Sequence, residues 1–195
     1  MMTTALLTLA KNHALSASQQ IETPPCCLMK NCMVIHCYSD GGCVNQGQVN
    51  ATAAFGFAFP HFPSYDQTEV IPKWRVVRTS SRAKMEAFIG CIEASICIIT
   101  THGFTNSMID ICSDSHDLIN TATSWLQGWK DKNWKMGKNK KCNNIDLLEK
   151  IWVMSSKYHI AWRHIRSHQK KPYIKFYDEY WNDLVDFIVR CSYLF

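Results

Sequence analysis

Residues 33–59, MVIHCYSDGGCVNQGQVNATAAFGFAF, set the reading of this chain. Met33 to Tyr38 is a short apolar run that stops at Ser39-Asp40-Gly41-Gly42, the composition of a strand entering a turn. Ala53 to Phe59 alternates small residues with phenylalanines and is closed by Pro60, so a second strand follows. Residues 60–73 hold three prolines and read as a connection, after which Trp74 to Thr79 is a third strand candidate.

Further along, the apolar period changes. Met85, Phe88, Ile89, Ile92, Ile96 and Ile99 recur at three and four, which predicts a helix burying one face, with Ser80 or Ser81 as its cap. Ser107 to Ser113 reads as a fourth strand. Asp114-Ser115 then opens a helix whose Leu118, Ala122, Trp125 and Trp129 share a face. A lysine-rich segment leads to a helix over 145–154, a strand over 158–165 and a last helix over 177–189. The order β-β-β-α-β-α-α-β-α has no internal repeat and predicts an α/β fold, a five-stranded mixed sheet flanked by helices.

Composition narrows the function classes. At 195 residues, 47% hydrophobic and 19% charged, the chain has a core to bury and is not a disordered, highly charged one. No stretch approaches the ~18 apolar residues of a membrane span. Ten cysteines without a CxxC pair fit free thiols in a reducing compartment, cytoplasm or nucleus, better than a disulfide or zinc scaffold. Residues 1–31, ending past Pro24-Pro25, read as a poorly ordered tail with neither a secretory nor a mitochondrial pattern, ahead of one domain over 32–195. The excess of 21 Lys and Arg over 16 Asp and Glu is modest, and by itself it points to no partner.

Three aspartates sit where such a fold can gather them: Asp40 after the first strand, Asp114 after the fourth, and Asp186 on the last helix. Singly, each has a plainer reading as a turn former, a helix cap and a solvated side chain. Together they are the carboxylate set that attracts divalent cations for phosphodiester hydrolysis.

Over residues 33–190 the chain resembles type 1 ribonuclease H. The resemblance rests on Asp40-Gly41-Gly42-Cys43, Ser80-Ser81-Arg82 leading into a helix, Ser113-Asp114-Ser115, Asn182-Asp183-Leu184-Val185-Asp186, and above all the segment Trp125 to Leu147. It implies a ribonuclease H-like fold with a basic helical protrusion and cleavage of the RNA strand of RNA/DNA hybrids. It further implies two Mg²⁺ ions, replaceable by Mn²⁺, on Asp40, Asp114 and Asp186, with His168 assisting from a loop. Nucleic-acid contacts are implied at Cys43, Gln46, Trp125, Trp129, Lys130, Trp134, Lys135 and Asn144, with no membrane and no obligate protein partner. The lysines 130, 132, 135, 138, 140 and 141 would neutralise phosphates while the tryptophans pack on sugar, a sequence-independent and salt-sensitive grip. Gln46 and Asn144 are suited to the minor groove, where the 2′-hydroxyl separates RNA from DNA.

One position departs from the family pattern. The family's fourth carboxylate, a glutamate two residues after the matched arginine, is here Lys84; Glu86 suits the role only with a two-residue shift. Helical phase favours Lys84, because the buried face starts at Met85 while Glu86 lies roughly 200° round the helix from Lys84. An ammonium in that slot changes the site by two charge units, each unit pair worth about 4 kcal/mol at ~4 Å before solvation. The alternative function is therefore a weakened or inactive domain that binds hybrid or serves a structural role.

Overall fold

The computed structural model describes residues 33–72, 77–166 and 177–194. A five-stranded sheet forms the middle layer. Its strands are β1 (Val34–Val44), β2 (Thr52–Ala58), β3 (Gln67–Val70), β4 (Met108–Ser113) and β7 (Ile160–His164). They lie in the order β3-β2-β1-β4-β7. The first three form an antiparallel meander, whereas β4 and β7 join β1 in parallel. The predicted mixed sheet is thus present, with one element displaced. The third strand of the sheet is Gln67–Val70, inside the stretch that reads as a connection. Residues 73–76 lie outside the described ones, and 77–79 carry no strand. Gln67–Val70 was hidden because it is short, polar and at the sheet edge, where hydrogen bonding to β2 rather than apolar burial defines a strand.

Side chains alternate across the sheet. On one face Ile35, Cys37, Phe55, Phe57, Ile109 and Ile111 meet α1 (Ser80–His102) and α4 (Ile145–Lys157) in the main core. The cap of α1 is Thr79, one residue before the predicted serines, and its side chain accepts from the Arg82 amide. Met85, Phe88, Ile89 and Ile92 are buried as the period predicts, but so are Ala83, Ala87, Cys91 and Ile98, because α1 is covered on several sides. On the other face Tyr38, Ala54, Ala58 and Cys112 pack against Val185 and Val189 of α5 (Tyr177–Cys191).

Charge as well as apolar burial holds α5 in place. Buried Asp110 of β4 accepts from His36 Nδ1 at 2.8 Å and from Arg163 Nη2 at 2.9 Å; Arg163 and the Tyr38 hydroxyl both reach Asp178 at the start of α5. The chain of contacts links three strands to one helix, and breaking a buried pair of this kind is costly.

Between β4 and α4 the chain forms α2 (His116–Asn120), a π-helical turn over Thr121–Trp125, and α3 (Leu126–Asp131). The extra residue in the π turn rotates α3 relative to α2. Leu118 and Leu126 are therefore buried, Trp129 is half-buried and Trp125 is exposed, instead of one continuous face. A two-stranded hairpin, β5 (Lys135–Met136) and β6 (Lys140–Lys141), completes the lysine-rich segment. Among the described residues no helix is long and apolar enough to cross a membrane, and the seven described cysteines are free thiols.

Candidate active site and nucleic-acid face

The acid edge begins with a close approach. A Cβ at Gly41 would lie 2.4 Å from the Ala83 carbonyl carbon and 2.6 Å from the Lys84 amide, so only glycine lets the first turns of α1 press on β1. That contact delivers Lys84 to Asp40, on the α5-facing side of β1. The Lys84 ammonium is hydrogen-bonded to Asp40 Oδ1 and lies 2.8 Å from Asp114 Oδ1. Burial works against the lysine's charge, but the two carboxylates outweigh it and hold its pKa above the ordinary value. Neighbouring strands thus bring Asp40 and Asp114 together around a cation.

Glu86 takes no part in this group. Its carboxylate meets Arg82 Nη2 at 3.3 Å, and Arg82 also clasps Asp146 Oδ2 at 2.6 Å and Asn144 Oδ1 at 3.3 Å. The two-residue shift that would have served Glu86 is absent. Asp186 stands on α5 in a bidentate pair with Arg190, at 2.9 and 2.8 Å. Tyr193 lies near both Asp186 and Asp40, and its hydroxyl is 2.3 Å from where a Cβ on Gly42 would be. Burial pushes the Tyr193 phenol up, and the nearby charges of Asp40, Cys43 and Asp186 add to the effect.

The basic segment divides into an outer and an inner set. Lys132, Lys135, Lys138, Lys140 and Lys141 are exposed on the hairpin and its approach. Lys130 instead lies over the Trp152 ring, 2.9 Å from its centroid. Trp125 is exposed and sits 5.7 Å from half-buried Trp129, whereas Trp134 is 8% exposed and belongs to the main core. The expectation that Trp134 packs on sugar is therefore corrected: the tight turn Trp134 makes before β5 folds its ring inward to anchor the hairpin. Gln46 uses its carbonyl to accept from the Ser80 amide at 2.9 Å, steadying the start of α1, and Cys43 donates to the Arg78 carbonyl at 3.4 Å. Asn144 accepts from Arg82 through Oδ1, which leaves its amide hydrogens for another partner. His168 falls outside the described residues.

The family model described as RNase H matches residues 33–190. The chain belongs to the ribonuclease H family. Its sequence is 27% identical over 139 residues to the ribonuclease H of Thiobacillus denitrificans, covering 71% of this chain and 84% of that one. The fold is similar to the solution structure of the PFV RNase H domain, with TM-score 0.61 and 18% identity over 82% of this chain and 94% of that one. It is also similar to LC11-RNase H1, solved in complex with RNA/DNA hybrid, with TM-score 0.50 and 16% identity over 81% and 98%. The ribonuclease H family is one of hydrolases that act on nucleic acid, and this chain is a ribonuclease H by that membership.

Hard oxygen donors are the right chemistry for Mg²⁺, but the arrangement in this ribonuclease H does not fit two such ions as it stands. Among the described residues no group of three or more His, Cys, Asp or Glu is gathered to hold a metal. Lys84 lies between Asp40 and Asp114, and Arg190 neutralises Asp186. Of the three aspartates expected to hold metal, Asp40 and Asp114 meet at Lys84, and Asp186 is paired with Arg190 on α5.

Sequence reasoning missed three groups at this edge. His164 Nε2 lies 3.2 Å from the Asp114 carbonyl oxygen, and its ring meets His116 edge-on at 5.4 Å. With Tyr193 they rim the acid pair. His164 ends β7 and so was placeable from the strand pattern; nothing in periodicity points to Tyr193, which arrives through the turn after α5.

Proposed function

We propose that this ribonuclease H domain binds RNA/DNA hybrid and cuts the RNA strand at the edge formed by Asp40, Asp114 and Asp186, and that Lys84 keeps that cleavage slow. The observation carrying the reading is the meeting of Asp40, within β1, and Asp114, just past the end of β4, in a member of this family. The hybrid held by the related LC11 protein supports the choice of substrate, and the exposed lysines and exposed tryptophan of the segment 125–141 are suited to phosphate and sugar. Mg²⁺ is the ion proposed for the reaction; Asp40, Asp114 and Asp186 would hold it only once Lys84 and Arg190 release them, and the chemistry it would supply is activation of water. For an ion to enter, the Lys84 ammonium has to leave the space between two carboxylates.

One observation favours a second reading, in which the domain binds hybrid without turning it over: Lys84 is paired to both carboxylates at once. Purified full chain given labelled hybrid with Mg²⁺ or Mn²⁺ separates the two. Slow nicking of the RNA strand, abolished by Asp40→Asn, supports cleavage. Binding with no nicking over long incubation, and nicking gained by Lys84→Glu, supports the second reading.

A further inference from the structure

We infer that Lys84 is a phosphate anchor: the acid edge seats a backbone phosphate of the hybrid on this ammonium, without a divalent ion. The inference deepens the reading above and rests on its hybrid-binding half.

An ammonium carries three N–H donors. Asp40 and Asp114 engage two, and the third has no partner among the described residues. The Lys84 side chain is 21% exposed, so part of it reaches solvent. A bare cluster of carboxylates repels a phosphodiester, which is why such edges call for metal. Here Lys84 and Arg190 face the three aspartates, leaving one net negative charge and one ammonium donor beyond the two that the carboxylates engage. Tyr193, near Asp40, and the His164 ring, 3.2 Å from the Asp114 carbonyl oxygen, add further hydrogen-bonding groups next to the two aspartates. A charge-assisted bond from ammonium to phosphate oxygen is a strong single contact. It also serves as a point charge, tolerant of the phosphate's orientation. The exposed lysines of the hairpin supply sequence-independent attraction, and Lys84 fixes where along the edge the backbone sits.

The test is fluorescence anisotropy of the full chain with a short labelled RNA/DNA hybrid, in EDTA and in Mg²⁺, over a range of NaCl. The wild type is expected to bind in EDTA with an affinity that Mg²⁺ leaves within about threefold, as a site that already holds its cation would. Lys84→Met is expected to weaken binding in EDTA about tenfold, the scale of one charge-assisted hydrogen bond. It should also flatten the salt dependence by about one unit of log–log slope. Lys84→Arg keeps the charge and should keep binding in EDTA, and thermal melts establish that both variants are folded. Wild type that binds only when Mg²⁺ is present overturns the inference and leaves the hybrid reading standing, as does Lys84→Met binding like wild type in EDTA. Wild type that binds hybrid under neither condition overturns both. Should Lys84→Met fail to fold, the wild-type comparison with and without Mg²⁺ and the Lys84→Arg result still decide.

Discussion

Lys84 Nζ stands 2.8 Å from Asp114 Oδ1 while hydrogen-bonded to Asp40 on the adjacent strand, so one ammonium joins β1 to the residue that follows β4. Lys84→Glu exchanges that closure for three mutually repelling carboxylates. The variant is expected to melt lower than wild type in EDTA and to recover with Mg²⁺, because an ion that binds only the folded form stabilises it. RNA-strand cleavage should rise at least about tenfold, equivalent to roughly 1.4 kcal/mol of barrier. Calorimetric titration of Mg²⁺ into both proteins checks the metal directly; equal heats and equal cleavage would remove Lys84 from the account.

The two glycines after Asp40 differ in what they face, and their alanine variants should differ too. At Gly41 the added methyl meets backbone of α1 at 2.4–2.6 Å, which cannot yield without moving the helix. Gly41→Ala should cost about 3 kcal/mol, the upper end for overpacking. At Gly42 the methyl meets only the Tyr193 hydroxyl, on a side chain that can swing away, and the cost should be about 1 kcal/mol. Urea unfolding of the two variants checks the order. Tyr193→Ala combined with Gly42→Ala should recover most of the smaller loss.

Much of this architecture was legible in the chain because period and position suffice for it. Ile35 and Cys37 against Tyr38 mark a strand with two covered faces, and Met85 to Ile92 mark the buried side of α1; the same phase put Lys84 rather than Glu86 toward the aspartates. The illegible parts depend on contacts rather than pattern. Gln67–Val70 becomes a strand by hydrogen bonding to β2, with little apolar burial to mark it. The π turn at Thr121–Trp125 shifts the helical phase by one residue and so defeats a face drawn through Trp125. No periodicity records that Arg190, one turn on, holds Asp186, or that Tyr193 comes close to Asp40 and Asp186.

The tryptophans of the basic segment, alike in sequence, divide in the structure. Trp134 is 8% exposed in the core, and Trp134→Ala should cost about 3 kcal/mol by removing a large buried ring. Trp125 is 41% exposed, and Trp125→Ala should change stability by less than about 0.5 kcal/mol. Hybrid affinity should respond in reverse for the folded variants, with Trp125→Ala weakening binding about tenfold as a stacking or sugar contact is lost. Denaturation curves and hybrid titrations on the two proteins check the crossover. Loss of stability in Trp125→Ala would place that ring in the core as well.

Asp110 makes the fold sensitive to acid. Burial alone would raise its carboxyl, but hydrogen bonds and charge from His36 and Arg163 outweigh it and hold the pKa below the ordinary 3.8. The folded carboxylate therefore gives up its proton more readily than the unfolded one, and the unfolded chain binds more protons in acid. Stability from this group is complete above about pH 4 and is lost as pH falls through the folded value. Asp110→Asn removes the charge while keeping the size, and at pH 7 it should cost about 3 kcal/mol, as for one partner taken from a buried pair. Arg163 keeps Asp178 in that variant, so the helix α5 stays docked and the protein remains measurable. Between pH 7 and pH 3 the wild type should lose more of its melting temperature than Asp110→Asn, and the two curves should converge. Curves that stay parallel through that range would mean that the Asp110 charge contributes nothing, and the clamp would then owe its strength to Tyr38, Arg163 and Asp178 alone.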